Sequence, residues 1–201
     1  MSMRTKRILA GIFGISIGLV LSTVMLLSSI KGEFTGYLDE RYPDLSFEVG
    51  FAKIDPIYGK YYALVTCLDD GTSFPIMKSF NSKEIFDDYI QYKSRDQYNS
   101  TIQDTFSGSD IENSIRSITG GGKIPFKTGA AYEQINIHIT DDAEHMAVAK
   151  KALALLAEKG IAADRVIFTY EKDKHVYELL VSSEEYALTE EELKEKVRYI
   201  K

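Results

Sequence analysis

The chain of 201 residues contains no tryptophan, only four prolines and a single cysteine, Cys67. Without a second cysteine, an intrachain disulfide is excluded, although proteins outside the cytoplasm often use one. Cys67 lies in a stretch rich in tyrosine, valine and threonine, which predicts a small buried residue on a strand. An intermolecular disulfide or a reactive thiol is the alternative for this side chain.

The sequence also lacks the motifs of common chemistries. The three histidines have no metal-ligand spacing: His138, His145 and His175. A metal-dependent enzyme would need a chance grouping of His145 with Asp141 and Asp142. Residues 120–123, Gly-Gly-Gly-Lys, lack the upstream glycine and the following hydroxyl residue of a phosphate loop and predict a flexible loop instead. We therefore assign no catalytic residue, no cofactor and no metal ligand.

Acidic residues outnumber basic ones, 30 against 24, and the formal net charge is −6. Arg4, Lys6 and Arg7 precede the longest apolar run, so the chain after that run carries a charge of −9. Nucleic acid is disfavoured as a partner, because binding phosphate requires a basic surface.

Residues 8–30 form an uninterrupted run of 23 uncharged, mostly apolar residues. As a helix the run is about 34 Å long, enough to cross about 30 Å of hydrocarbon. It predicts a single transmembrane helix in the plasma membrane. A cleaved signal peptide is the alternative, but its apolar core is usually about 7–15 residues and ends in small residues. The basic residues before the run favour a cytoplasmic N-terminus and an extracytoplasmic bulk.

Four small residues recur every fourth position within this run: Ala10, Gly14, Gly18 and Ser22. They share one helix face, and Gly14 and Gly18 form G-x-x-x-G. Small residues allow two helix backbones to approach closely in lipid, so this face predicts a homodimer or a protein partner. Glycine is also common in membrane helices that do not associate, which leaves both interpretations open.

The region 31–93 predicts a helix, a three-strand antiparallel meander and a second helix. Apolar residues at helical spacing continue to Tyr42, and alternation then indicates strands at 45–51, at 60–68 and up to Phe80. Asn81 and Glu84 have the spacing of a capping box, which predicts a helix from there to about residue 93. The region is dense in aromatic residues, expected as core or as a recognition surface: Tyr58, Tyr61, Tyr62, Phe74, Phe80, Phe86, Tyr89 and Tyr92.

The remainder divides into a polar linker, 94–130, and a compact module, 131–201. The first part of the linker, 94–109, fits either a poorly packed helix or an irregular linker. A short predicted helix at 110–118 and a glycine-rich loop at 119–129 follow. The module reads β-α-β-β-α, a small sandwich with its helices on one face, its elements at 134–139, 142–159, 166–171, 176–181 and 190–200. With residues 1–30 as a cytoplasmic segment and anchor, the chain is predicted to be an α+β protein.

One resemblance combines these features. The basic start, the single apolar run, the segment YLDERYPDLSFEV and the hairpin KYYALVTCLDDGTSF resemble the YfjL-like proteins. These are small membrane-anchored proteins of Gram-positive bacteria whose function is unknown, and the match is best from Tyr37 to about Phe80. The helix-plus-meander unit is also similar to PepSY-type modules of envelope proteins and inhibitory propeptides. The resemblance implies an envelope protein and assigns no catalytic residue.

The expectation is therefore a single-pass membrane protein whose extracytoplasmic modules bind a protein or a cell-wall ligand without catalysis. An envelope enzyme with a site assembled from scattered residues is one alternative. An inhibitor or chaperone of a membrane enzyme is another.

Overall fold

A computed structural model describes residues 3–201, with side chains for residue 18 and from residue 20 onward. The described chain is α+β, with two five-stranded sheets and four α-helices. It divides into a first unit, ending at Tyr92, and a second unit, 93–201. The division falls inside the helix Tyr89–Phe106.

The first unit consists of a long helix followed by an antiparallel sheet in the order β1-β3-β4-β5, with β2 also paired to β3. Backbone N–H of Gly50 donates to Leu64 O at 2.9 Å, and a Cβ at Gly50 would lie 2.8 Å from that oxygen. Glycine is thus required where one edge strand is interrupted. The elements are α1 (Met3–Arg41), β1 (Phe47–Val49), β2 (Lys53–Asp55), β3 (Lys60–Cys67), β4 (Ser73–Ser79) and β5 (Ile85–Asp87).

The core of the first unit lies between α1 and one face of this sheet. Ile30, Phe34 and Leu38 follow one another at intervals of four residues, which places them on one side of the helix, and all three are buried. They belong to one cluster with the inward residues of the strands: Val49, Ala63, Val65, Cys67, Phe74 and Ile76. A single helix therefore supplies most of the cover of this sheet.

The helix predicted to begin at residues 81–82 is wrong. Backbone N–H of Glu84 donates to Ser82 Oγ at 3.0 Å, a local turn that uses the hydroxyl differently from a helix cap. The chain then pairs with β4, Phe86 opposite Met77. Helix α2 (Tyr89–Phe106) begins only after β5, with Tyr89 N–H donating to Asp87 Oδ1 at 3.1 Å. Strand pairing has overridden a local capping pattern.

The polar stretch after residue 93 contains regular structure. Tyr98, Ile102 and Phe106 recur every fourth residue on α2 and are buried, although the other helix residues from position 93 onward are polar. The predicted helix at 110–118 is wrong, since a single 3-10 turn, Glu112–Ser114, leads into β6 (Ile115–Gly122). The first part of the predicted glycine-rich loop also belongs to β6, which pairs antiparallel with the strand Tyr132–Ile139.

The second sheet has the order β10-β9-β8-β7-β6. The alternating residues Ile135, Ile137 and Ile139 are all buried, as predicted. Strands β7 and β8 are parallel neighbours joined through α3, and the other pairs are antiparallel. The elements are β7 (Tyr132–Ile139), α3 (His145–Glu158), β8 (Val166–Lys172), β9 (His175–Val181), α4 (Glu190–Glu195) and β10 (Val197–Tyr199).

The last predicted helix is wrong in its length. A capping box of Thr189 and Glu192 starts α4, as predicted, but the helix ends at Glu195. Val197 then pairs with Leu179 as part of the edge strand β10. Residues from α2, α3 and α4 share one buried cluster with the inward residues of the sheet, for example Ile102, Leu153 and Leu193. Three helices thus cover this sheet.

The predicted transmembrane run, 8–30, lies entirely within α1. Among the described residues, no helix has an apolar segment long enough to cross a bilayer. The side chains of residues 8–17 lie outside the described residues.

Candidate functional site

The predicted contact face of α1 is described only in its second half. A Cβ added at Gly18 would meet nothing within 4 Å, so its surface is open in the described chain. Ser22 lies one turn further and donates from Oγ to Gly18 O at 2.8 Å. Ala10 and Gly14 lie outside the residues whose side chains are described. The association of this face with another helix remains a prediction.

Immediately before α2, the carboxylate of Asp87 collects several donors while its side chain is only 2% exposed. The Tyr37 hydroxyl donates to Oδ2 at 2.8 Å and the Tyr42 hydroxyl to Oδ1 at 2.9 Å. Tyr89 N–H donates to Oδ1, and Arg41 Nε lies 3.3 Å from Oδ2. Burial, followed by the hydrogen bond to Asp87, raises the pKa of Tyr37 to about 12. The carboxylate thus joins the end of α1 to the start of α2.

The Asp87 carboxylate and its donors have a role in the packing of the fold. A buried carboxylate that accepts several hydrogen bonds is satisfied where it stands and presents no unused oxygen to a substrate. The sequence interpretation missed the cluster, because Tyr37 and Asp87 are 50 residues apart. No local spacing connects the two.

Cys67 lies at the end of β3, fully buried, as the sequence predicts. Its Sγ is 3.7 Å from the Tyr89 hydroxyl, which donates to Asp70 Oδ2 at 2.7 Å. Burial, and then the hydrogen bond to Asp70, raises the pKa of Tyr89. The thiol therefore belongs to the packed core of the first unit, where access by a reagent requires opening of the fold.

The glycines of residues 120–122 have a packing role. A Cβ at Gly120 would lie 2.5 Å from Tyr132 Cε1, and a Cβ at Gly122 would lie 2.6 Å from the Tyr98 hydroxyl oxygen. Backbone N–H of Gly120 already donates to Asn99 Oδ1 at 2.9 Å. The strand is glycine-rich because two tyrosine rings pack directly on its backbone, and its amides form no phosphate cradle.

The three histidines lie on different elements of the second unit. His138 is on the β7 face opposite the core, and His175 begins β9 with its ring edge-on to Tyr199. His145 begins α3, its ring stacked on Tyr170 with centroids 4.2 Å apart. Among the residues that the structure describes, no three His, Cys, Asp or Glu side chains are grouped as metal ligands. Asp141 pairs instead with Arg116, 3.1 Å away.

An open cavity of about 360 Å³ lies beside His145. Its charged lining is balanced, since Lys172 and Lys194 are accompanied by Glu144 and Glu190. The His145 Nε2 atom is buried and has no hydrogen-bond partner in the protein. The cavity is large enough for a small polar molecule, but its charges select neither an anion nor a cation.

The first sheet exposes apolar side chains on the face that points away from its core. We call the following residues the outer face: Tyr62, Leu64, Pro75, Met77 and Phe86. They are neighbours by register, since Tyr62 pairs with Met77, Met77 with Phe86, and Leu64 with Pro75. Leu64 is 63% exposed and Phe86 55% exposed. Contiguous apolar surface of this kind marks interaction sites more often than catalytic ones.

No family model, no curated protein and no solved structure matches this chain.

Proposed function

We propose that the protein is a single-pass membrane protein whose two α+β units act as non-enzymatic binding modules of the cell envelope. The observation that carries the proposal is the exposed surface of α1 on the N-terminal side of Ile30, where the helix enters the core of the first unit. Five large apolar side chains are exposed there: Val20, Leu21, Val24, Met25 and Leu26, 43–73% exposed. Large apolar side chains exposed on successive turns of a helix favour a protein or a lipid environment.

The proposed anchor spans residues 8–30, with Arg4, Lys6 and Arg7 on the cytoplasmic side. The same helix then enters the first core at Ile30, which is 4% exposed. The two roles of α1 are therefore consecutive, lipid contact first and sheet packing second. The proposed resemblance to YfjL-like and PepSY-type proteins supports the same assignment.

The anchor is tested by extracting membranes that contain the intact chain with alkaline carbonate. The chain is expected to stay in the pellet and, in spheroplasts, to be cut by added protease between residues 31 and 201. Release of the chain by carbonate would contradict the anchor. Protection from the protease would contradict the orientation. Detection of a mature chain that begins near residue 30 would instead favour the cleaved signal peptide.

Binding is proposed to use the outer face of the first sheet, with another protein as the partner. An apolar patch of this kind fits a protein surface better than it fits a sugar polymer or a nucleic acid. Lys53, which pairs with Tyr62, lies at its margin. A photo-crosslinking amino acid at Phe86 should give a discrete adduct in intact cells. The same group at Asp39, an exposed position on α1 that lies off the outer face, is the control. An adduct that persists in the Leu64→Asp variant, or that forms equally from position 39, would contradict this surface.

Self-association through Ala10, Gly14, Gly18 and Ser22 is proposed as a further property of the anchor. A membrane-association reporter should lose its signal with Gly14→Ile and Gly18→Ile, because the larger side chains separate the helices. An unchanged signal would remove the dimer.

A further inference from the structure

The turn that connects β2 to β3 exposes large apolar side chains. Ile57 is 87% exposed and Tyr58 76% exposed, and the neighbouring Phe80, just after β4, is 42% exposed. We call these three residues the apolar turn. Turns at the ends of strands usually carry small polar residues, because these satisfy the backbone and face water without cost.

The backbone of the apolar turn is held by hydrogen bonds. Asp55 Oδ1 accepts from the N–H groups of Ile57 at 3.2 Å and Tyr58 at 3.1 Å. Gly59 has φ +60°, and its carbonyl accepts from Phe80 N–H at 2.9 Å. The apolar side chains are therefore presented outward by a defined turn.

The position of the turn along α1 follows from two contacts. The Tyr37 hydroxyl donates to the carboxylate of Asp87, whose backbone partner on β4 is Ile76. Glu33 forms an ion pair with Lys78, two residues further along β4. Four helix residues rise about 6 Å and two strand residues about 7 Å, so α1 runs antiparallel to β4. Extending the same spacing by two strand residues places Phe80 level with about residue 28 of α1.

The apolar run therefore ends at the height of the apolar turn. If α1 is held in a bilayer through residues 8–27, about 20 residues or 30 Å, the turn reaches the headgroup layer beside it. Lys60 is well placed there, since its Nζ lies 5.4 Å from the centroid of the Tyr58 ring. Tyrosine rings and lysines with long apolar stems are typical of this layer.

We propose that the apolar turn inserts into the lipid headgroup layer and fixes the first unit upright on the membrane. The inference rests on the proposed anchor, because the bilayer that holds α1 is what brings lipid to the turn. The turn is thus a second, weaker membrane contact, made by the sheet and not by the helix. The lipid contact is apolar and does not depend on a basic surface.

The absence of tryptophan makes the test direct, since one introduced tryptophan is the only one in the chain. The intact protein is placed in phosphatidylcholine–phosphatidylglycerol vesicles with brominated acyl chains, which quench tryptophan near the hydrocarbon. Ile57→Trp and Tyr58→Trp report on the turn. Leu64→Trp is the matched control, since Leu64 is also exposed but lies about 13 Å along β3 from Lys60, the first residue after the turn. Val24→Trp reports on the anchor.

Emission from Ile57→Trp and Tyr58→Trp should be quenched at least about twofold more than emission from Leu64→Trp, as expected of an interfacial aromatic residue. Quenching of Val24→Trp with equal, low quenching at positions 57, 58 and 64 would overturn the turn contact and leave the anchor standing. Absence of quenching at all four positions would overturn the anchor as well. A blue shift at position 57 that grows with protein concentration and is insensitive to bromine would identify a second protein molecule on the turn and would overturn the lipid contact.

Discussion

The two units cover their sheets in different ways. Among the described side chains, the first unit buries 11 core residues, mainly under the single helix α1, and the second buries 22 under three helices. The second unit therefore has the larger apolar contribution to folding. The first unit depends on one helix, and the same helix carries the proposed membrane anchor. Under the proposed anchor, membrane attachment and folding would be coupled in the first unit and separate in the second.

The units also differ in where they place charge. The first holds a carboxylate, Asp87, in an almost fully buried position among tyrosine hydroxyls. The second places Glu185 at its surface, where it caps a 3-10 turn at Ser182 and pairs with Lys196. Removing the charge of a buried, hydrogen-bonded carboxylate therefore costs the fold far more stability than removing the charge of an exposed one.

Phe34→Ala should give the largest effect, about 4 kcal/mol of unfolding free energy, because a fully buried aromatic ring leaves a cavity between α1 and the sheet. Hydrogen exchange of the intact chain should show faster opening in the first unit and unchanged protection in the second. Asp39→Ala on the exposed side of α1 is the control and should change little. An equal loss of protection in both units would show that their folding is not separate.

Gly120→Ala should destabilise the second unit by about 3 kcal/mol, because the added methyl overlaps the buried Tyr132 ring. Gly121→Ala is a matched control on the same strand, where an added Cβ meets nothing within 4 Å. Denaturant titration followed by exchange in each unit measures both. A similar effect from the two substitutions would contradict the packing role of the glycines.

Asp87→Asn should destabilise the first unit by about 2 kcal/mol, because hydrogen bonds to a charged acceptor are replaced by weaker ones and one oxygen becomes an amide donor. Asp88→Asn, one residue later, is the control. Thermal melts measure both variants, and the unfolding of the second unit should be unchanged in each. A neutral result for Asp87→Asn would mean that the buried cluster is not a stabilising junction.

Glu185→Gln should have the smallest effect, below about 1 kcal/mol, since the ion pair is partly exposed. The hydrogen bond from Lys196, together with backbone N–H of Ser182, lowers the pKa of Glu185 below its ordinary 4.5. Its contribution is therefore present above pH 4.5 and is lost as pH falls through the lowered value. Stability curves of Glu185→Gln and the original chain should converge in acid, whereas Glu184→Gln should match the original throughout. Divergence that widens in acid would contradict the sign.

The sequence predicts the second sheet well where its signals are long and regular. The alternation at Ile135, Ile137 and Ile139 is confirmed. The alanine–leucine helix α3 is confirmed as a helix, although it begins at His145 and not at residue 142. The sequence interpretation fails where tertiary pairing decides the conformation, as at β5, where a capping pattern yields to pairing with β4. It leaves most of α2 undecided between a poorly packed helix and a linker, because the buried residues Tyr98, Ile102 and Phe106 are too few to mark a helix in a polar stretch. The Asp87 cluster and the glycine–tyrosine contacts join distant residues and leave no local pattern.

Hydrogen exchange along α1 in lipid nanodiscs is a direct test of the proposed anchor. We expect amides of residues 18–27 to exchange as slowly as those of residues 30–38, because lipid would protect the first segment and the sheet protects the second. Unprotected exchange at 18–27 beside slow exchange at 30–38 would contradict it, since α1 would then be a core helix with no membrane segment before it.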